Sequence, residues 1–223
     1  IPDQTGVSYE VIETGDMVSF SNIYLPPARE SWFEGSPETP YIENSDAYNS
    51  ISSFPGEFVQ IEEPSVFRDF RIARVSVFPV QYNASKKELQ VTSSITIRIN
   101  YGQGEVVNPK TTAKKPISPS FGQLYKSLIF NYESSLNQLY GGKEEGHELM
   151  LCIMPDEFVA SFQIYADWKR QSGIDIHVTK FSDIGATASD PVIIKNHIAD
   201  AYHNWEIAPS YVLLIGDNGV FPH

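Results

Sequence analysis

Residues 149–154 read Leu149-Met150-Leu151-Cys152-Ile153-Met154, an apolar run with no charge and no turn residue. Such a run is typical of a strand that is buried on both faces, as in a parallel sheet. Ile174-Asp175-Ile176-His177-Val178-Thr179 and Tyr211-Val212-Leu213-Leu214-Ile215 are two further strand segments. Because helix-length segments separate them, the three runs predict βαβαβ order with parallel strands and right-handed crossovers.

The segments between these strands carry helix signals. Pro155-Asp156-Glu157 places acids in the first helical turn, where the helix dipole favours them, and Ser172-Gly173 closes that helix. Asp190 and Pro191 fit the N-cap and N1 positions of a second helix. Three parallel strands are half of an ordinary doubly wound sheet, so we expect more polypeptide, on this chain or a second one, to cover the sheet edge.

The first hundred residues predict short strands. Val11–Thr14 and Met17–Leu25 are rich in β-forming residues and are separated by the turn signal Gly15-Asp16. Residues 70–80 form a longer β pattern, and residues 94–101 alternate strictly, with isoleucines on one face. Several short strands with turn signals between them predict an all-β sandwich over residues 1–105.

A Pro/Lys/Thr-rich stretch at residues 106–120 interrupts the strand pattern and predicts an exposed linker between two domains. Exposed linkers are where proteases cut chains, so Lys110, Lys114 and Lys115 are candidate processing residues; a plain linker is the alternative. Residues 121–223 then predict a helical lead-in, ended by Gly141-Gly142, and the N-terminal half of an α/β domain.

The charge is strongly acidic and unevenly distributed. The net charge is −12, and residues 1–66 hold twelve acids against one base, Arg29. Such a surface repels phosphate backbones, which argues against nucleic-acid binding. It serves solubility, or it docks on a basic partner or masks a cleft for basic substrates. No run of eighteen apolar residues occurs, so we expect no membrane span.

Few residues offer catalytic or metal chemistry. Cys152, the single cysteine, is flanked by apolar residues, and we expect a buried, inert thiol. His197 and His203 are six residues apart on one predicted helix and do not share a face as zinc ligands do. Asp217 follows the third strand, where it could line a cleft, bind Ca²⁺ or cap its own loop. We therefore expect no metal site beyond a structural Ca²⁺.

Two features have weaker interpretations. Lys86 and Lys87 lie in a predicted turn that could touch a cleft. Asn83-Ala84-Ser85 matches a glycosylation sequon, although one match in a chain of this length is often chance.

The α/β part resembles the gingipain (C25) family of cysteine peptidases. Residues 166–173, Ala-Asp-Trp-Lys-Arg-Gln-Ser-Gly, are similar to a helix end of that family, and residues 211–217, Tyr-Val-Leu-Leu-Ile-Gly-Asp, are similar to its third strand. Asp183-Ile184 and Pro222 also fit the family's order. In the first domain, residues 68–89, with the strand ending in Pro79-Val80 and the Tyr82-Asn83 turn, resemble the family's propeptide.

The resemblance implies a β-sandwich prodomain joined by a cleavable linker to an α/β catalytic domain. The family's catalytic pair is a His in a Gly-His-Gly context and a Cys after a later strand, which acts as a nucleophile with backbone oxyanion donors. All five histidines here lack a following glycine, and Cys152 lies inside the first strand. We therefore assign no catalytic residue to this chain, place the pair beyond His223 and expect the chain alone to be inactive.

These observations predict a zymogen fragment of a secreted or cell-surface cysteine endopeptidase, whose prodomain inhibits and assists folding. Its partners would be the remainder of the catalytic domain and protein or peptide substrates. The start, residues 1–5, has no signal-peptide pattern, so a signal is either removed or absent from this chain. The alternatives are a non-catalytic, secretion-associated or surface interaction module on the same scaffold, and an unrelated α/β binding domain, for which no phosphate-binding loop occurs.

Overall fold

The computed structural model of the chain describes residues 1–102, 104–141, 146–186 and 191–216. Its backbone divides into two units, Ile1–Lys110 and Thr111–His223, which we call the N-terminal unit and the C-terminal unit. The predicted linker, residues 106–120, begins in the first unit and ends in the second.

The regular structure of the N-terminal unit is almost all antiparallel strands. The sheets have the orders β1-β9, β2-β8-β7, β3-β6 and β4-β5. The elements are β1 (Val7–Thr14), β2 (Met17–Phe20), α1 (Ser45–Tyr48), β3 (Val59–Ile61), β4 (Ser65–Phe67), β5 (Phe70–Ile72), β6 (Val75–Val77), β7 (Val80–Asn83), β8 (Glu88–Thr92) and β9 (Ile95–Tyr101).

Gly15 and Asp16 interrupt a long ribbon and do not reverse the chain. The Gly15 amide donates to Ser94 O at 2.8 Å, and the Ser93 amide donates to Asp16 O at 2.9 Å. A Cβ atom on Gly15 would lie 2.5 Å from the hydroxyl oxygens of both serines and 3.1 Å from the Ser94 nitrogen, so a side chain here would force both hydroxyls to move. The pairs β1-β9 and β2-β8 therefore follow one another along the same two chain segments.

The single strand pattern at residues 70–80 is divided among three strands with three different partners. β5 pairs with β4, β6 with β3, and β7 with β8. Pro79 has no amide hydrogen to donate to a ladder, which favours a change of partner between β6 and β7. β9 keeps its predicted alternation, because Ile95, Ile97 and Ile99 are half-buried.

The C-terminal unit contains the predicted parallel sheet, which is confirmed. Its strand order is β11-β10-β12, and β10 pairs with both neighbours in parallel. The elements are α2 (Pro119–Leu128), α3 (Tyr132–Tyr140), β10 (Glu148–Met154), a 3₁₀ turn (Asp156–Phe158), α4 (Val159–Gln171), β11 (Ile174–Lys180), α5 (Phe181–Ile184), α6 (Pro191–Asn204) and β12 (Tyr211–Leu214).

The helical lead-in is two helices, since the backbone leaves the helical region at Ile129. α3 ends at Gly141, whose φ of 65° lies in the left-handed region that favours glycine, as the sequence predicts. The helix predicted after Asp190 is α6, which begins at Pro191, while Asp190 itself lies outside the described residues.

The central strand β10 is buried on both faces, as its continuous apolar run predicts. On one face Leu151 and Ile153 pack with α5 and α6 residues, including Phe181 and Ile194. On the other face Met150, Cys152 and Met154 pack with α4. Successive residues of the run therefore point alternately to the helices on one face of the sheet and to the helix on the other face.

No helix in the described parts of the chain has both the length and the apolar character needed to cross a bilayer.

Candidate functional site

The carboxyl ends of β10 and β11 meet at one edge of the parallel sheet, where α/β folds form their sites. Asp156, just after β10, accepts hydrogen bonds from the Ser182 hydroxyl at 2.5 Å and from the Ser182 amide at 3.2 Å. The hydroxyl bond, followed by the amide bond, lowers the pKa of Asp156 below its usual value. Asp156 is therefore a charged group that ties the end of β10 to α5.

The second strand end carries a matching arrangement. The Lys180 amide donates to Asp183 Oδ2 at 3.0 Å, and Lys180 Nζ lies 3.2 Å from Asp183 Oδ1. The amide bond is the main reason why the pKa of Asp183 is lowered. These groups cap α5 and line the carboxyl edge. Asp217, the predicted cleft or Ca²⁺ residue, lies outside the described residues.

The histidines of the described ranges form no metal centre. Within the described ranges, no group of three or more His, Cys, Asp or Glu side chains is placed to hold a metal ion. His197 Nε2 lies 3.0 Å from Thr179 Oγ1, and the His177 ring packs 4.4 Å from the ring of Trp205. Burial, and secondarily the charge of His197, lower the pKa of His177.

Cys152 has no accessible surface, so its predicted burial is confirmed. Burial raises the pKa of its thiol to about 11. Because the thiolate is the nucleophilic form, the side chain is a packing group of the sheet and not a catalytic residue.

The asparagine of the sequon is engaged in hydrogen bonds. Asn83 Nδ2 donates to Ile51 O at 2.7 Å, and Asn83 Oδ1 accepts from the Ser85 hydroxyl at 2.9 Å and from the Lys86 amide at 3.0 Å. This buried side-chain nitrogen joins β7 to the loop at Ile51, and a nitrogen engaged in this way is a poor acceptor for a glycan.

The three candidate processing lysines have different surroundings. Lys110 is buried, and its amide donates to Asp3 O at 2.9 Å. Lys114 is exposed, with Nζ 5.9 Å from the ring centroid of Tyr140. Lys115 is half-buried, and its Nζ donates to Trp205 O.

The last part of the predicted linker is fastened to the parallel-sheet part of the C-terminal unit. Ile117 is fully buried, and its carbonyl accepts from the Gly146 amide at 3.0 Å. A Cβ atom on Gly146 would lie 2.4 Å from Ile117 O, so the approach requires glycine. The Ser120 amide, in the first turn of α2, donates to Glu148 Oε1 at 2.5 Å. We call residues 115–120 the anchor segment.

Sequence patterns do not reveal these contacts, since Gly146 and Glu148 lie far along the chain from the residues they meet. The sequence patterns also did not single out Arg71, which is almost fully buried. Its signal was present: in the β pattern of residues 70–80, Arg71 shares a face with Val75 and Val77.

The two parts of the chain match two sequence families. Residues 1–139 match the propeptide of family C25 (Propeptide_C25), and residues 143–222 match Peptidase family C25. The chain therefore belongs to the C25 peptidase family, and it comprises the propeptide and the beginning of the peptidase domain. The propeptide match extends beyond the predicted linker and includes α2 and most of α3.

The curated relatives are gingipains of Porphyromonas gingivalis. Gingipain R2 of strain W83 is 28% identical over 224 residues, which cover 100% of this chain and 30% of that protein. Lys-gingipain is 27% identical over 188 residues, or 82% of this chain and 11% of that protein. The chain thus spans less than a third of the length of the relatives it matches.

The fold is similar to that of a solved gingipain structure. The complex of the pro- and mature domains of Porphyromonas gingivalis RgpB has a TM-score of 0.51 and 23% identity, over 60% of this chain and 66% of that chain.

Proposed function

We propose that this chain is the latency-conferring part of a secreted cysteine endopeptidase zymogen, in which the propeptide restrains the peptidase domain and assists its folding. The catalytic His and Cys would lie beyond His223. The observation that carries this proposal is the anchor segment: it belongs to the propeptide match, yet its contacts are to residues of the peptidase match.

The anchor segment supports retention of the propeptide after a cut. Ile117, Ser120 and Lys115 reach residues 146, 148 and 205, and these contacts are independent of the covalent connection through residues 140–142. A buried apolar side chain and charged hydrogen bonds together resist dissociation. A chain cut between the two family matches would therefore stay assembled.

The experiment is a specific cut between the two matches. A recognition sequence for a site-specific protease inserted after Gly141 allows the purified chain to be cut and analysed by native mass spectrometry. Both pieces are expected to remain together and to separate only in denaturant. Gly146→Ala is expected to release them, while His147→Ala, an exposed neighbour, serves as the matched control. Separation of the unmodified pieces under native conditions would contradict retention.

We also propose that residues 21–58, which we call the arm, contact the remainder of the peptidase domain. The arm carries many exposed large apolar side chains: Tyr24, Leu25, Trp32, Phe33, Tyr41, Ile42, Ile51 and Phe54. Internal contacts hold it, since Arg29 pairs with Glu38 at 2.5 Å and lies 4.2 Å from the Tyr41 ring. An apolar surface of this extent is typical of a docking surface.

Inhibition is tested in the complete precursor. The intact precursor is expected to hydrolyse peptide substrates slowly and to gain activity after processing. Phe33→Ser, on the arm, should raise the activity of the unprocessed precursor, and Val66→Ser, at an exposed apolar position outside the arm, should not. Rapid hydrolysis by an intact, unprocessed precursor would count against latency. A precursor without Gly-His-Gly and a later Cys would favour the non-catalytic surface module.

We propose that the precursor is processed in the linker or between the two family matches. Lys114 is the most accessible of Lys110, Lys114 and Lys115. The gap between the family matches, residues 140–142, is a second processing region, and N-terminal sequencing of the mature product distinguishes the two.

We further propose that the antiparallel sheets of residues 1–105 pack as a sandwich, and that Asp217 lines the cleft or binds Ca²⁺.

A further inference from the structure

Arg71 is a buried cation in β5, with 1% of its surface exposed. A buried guanidinium is costly unless its N–H groups find acceptors, so the position of its partners identifies what it stabilises. None of the chemistry discussed above uses this side chain.

The guanidinium joins two segments that are distant in sequence. Nη1 donates to Pro2 O and to Thr5 O, both at 2.8 Å. Nε donates to Asn108 O at 3.1 Å, and Nη2 donates to Val107 O at 2.6 Å. All four bonds go to main-chain carbonyls, so one planar side chain holds residues 2–5 against residues 107–108.

Further hydrogen bonds hold residues 108–110 in place. Asn108 Nδ2 donates to Pro64 O at 2.9 Å, and Asn108 has a φ of 47°, a left-handed conformation that asparagine tolerates. Two residues later, the Lys110 amide donates to Asp3 O at 2.9 Å. Lys110 itself is buried, with 4% of its surface exposed.

Lys110 is the buried position of a largely exposed stretch, because the side chains of Asn108 and Pro109 before it are exposed as well. Residues 111–114 are all exposed. A protease must bind several residues of main chain in an extended form. The main chain of residues 107–110 offers this only after its hydrogen bonds to Arg71 and Asp3 have opened.

We propose that Arg71 is a clasp that holds the two ends of the N-terminal unit together and thereby excludes Lys110 from proteolytic processing, while Lys114 stays accessible. The proposal deepens the zymogen function by setting an upstream limit to processing of the linker. Its test uses an added protease and requires no activity of the peptidase, so failure of the clasp and failure of the zymogen function are distinguishable.

The test is brief digestion of the 223-residue chain with a lysine-specific endoprotease, followed by intact-mass analysis. The unmodified chain is expected to be cut after Lys114 and not after Lys110. Because cleavage tracks the population of the opened segment, Arg71→Met should increase cutting after Lys110 by about tenfold or more and leave cutting after Lys114 unchanged. Arg71→Lys keeps the charge but not the planar fork and should give an intermediate rate.

Arg98→Met is the matched control, since Arg98 forms an exposed pair with Glu10 and should leave the pattern of cuts unchanged. Should Arg71→Met unfold the whole unit, amide exchange in the unmodified chain decides. The Lys110 amide is expected to exchange at least about tenfold more slowly than the Thr112 amide. Equal exchange, equal cutting at Lys110 and Lys114, or an unchanged pattern in folded Arg71→Met would each overturn the clasp.

Discussion

Glu148 Oε1 lies 2.5 Å from the main-chain nitrogen of Ser120, twenty-eight residues earlier in the chain. The amide belongs to the first turn of α2, where main-chain donors lack helical partners, and the helix has no side-chain bond from its own N-cap, Ser118. A carboxylate from the first residue of the central strand therefore performs the capping role. It connects the propeptide match to the peptidase match.

Removal of this carboxylate should destabilise the C-terminal unit. Glu148→Ala leaves the α2 amide without its charged acceptor and is expected to lower the free energy of unfolding by about 1–2 kcal/mol. Glu148→Gln keeps an oxygen acceptor and should lose less. Urea unfolding followed by tryptophan fluorescence measures both, and equal stability of Glu148→Ala and the unmodified chain would refute the role.

Gly146 is expected to tolerate no side chain. A Cβ atom would lie 2.4 Å from Ile117 O, so Gly146→Ala must displace the anchor segment and should lower the free energy of unfolding by about 1–3 kcal/mol. His147→Ala, at the exposed next position, is expected to stay within about 0.5 kcal/mol of the unmodified chain. Thermal unfolding of the two variants side by side distinguishes a specific clash from a general sensitivity of this segment.

Cys152 should be unreactive in the folded chain. Its thiol is buried and has a pKa of about 11, so little thiolate exists at pH 8 and reagents have no access. Iodoacetamide is expected to add no label under native conditions and one label in denaturant, as measured by intact mass. Full labelling of the native chain would show that the central strand opens readily.

The hydrogen bonds between Ser182 and Asp156 should make the stability of the C-terminal unit decrease at acid pH. The pKa of Asp156 is lower in the folded chain than its ordinary value of 3.8, because Ser182 donates two hydrogen bonds to it. Its stabilising effect is therefore present above the unfolded pKa and is lost as the pH falls through the folded pKa. Urea midpoints at pH 5 and pH 3 should differ less in Ser182→Ala than in the unmodified chain; an identical difference would mean that this contact does not contribute.

The parallel sheet was predictable because its signals are local. The run at residues 149–154 has no charge, and a strand with two apolar faces requires cover on both sides, which α4 on one face and α5 with α6 on the other provide. The break of residues 70–80 into three strands was not predictable. Apolar periodicity reports which side of the chain is buried, but not which strand lies beside it.

The sequence by itself determined that a β-rich acidic part precedes an α/β part and that the motifs resemble the C25 family, and it predicts that the catalytic pair of that family lies outside this chain. Periodicity, composition and the residues next to each His and Cys depend only on residues close in sequence, so the sequence alone shows them. Only the tertiary structure decided that Arg71 closes the N-terminal unit, that Lys110 is buried, and that Gly146 and Glu148 hold the anchor segment. Those contacts join residues tens of positions apart, and their stability depends on burial and close approach that exist only after the chain has folded.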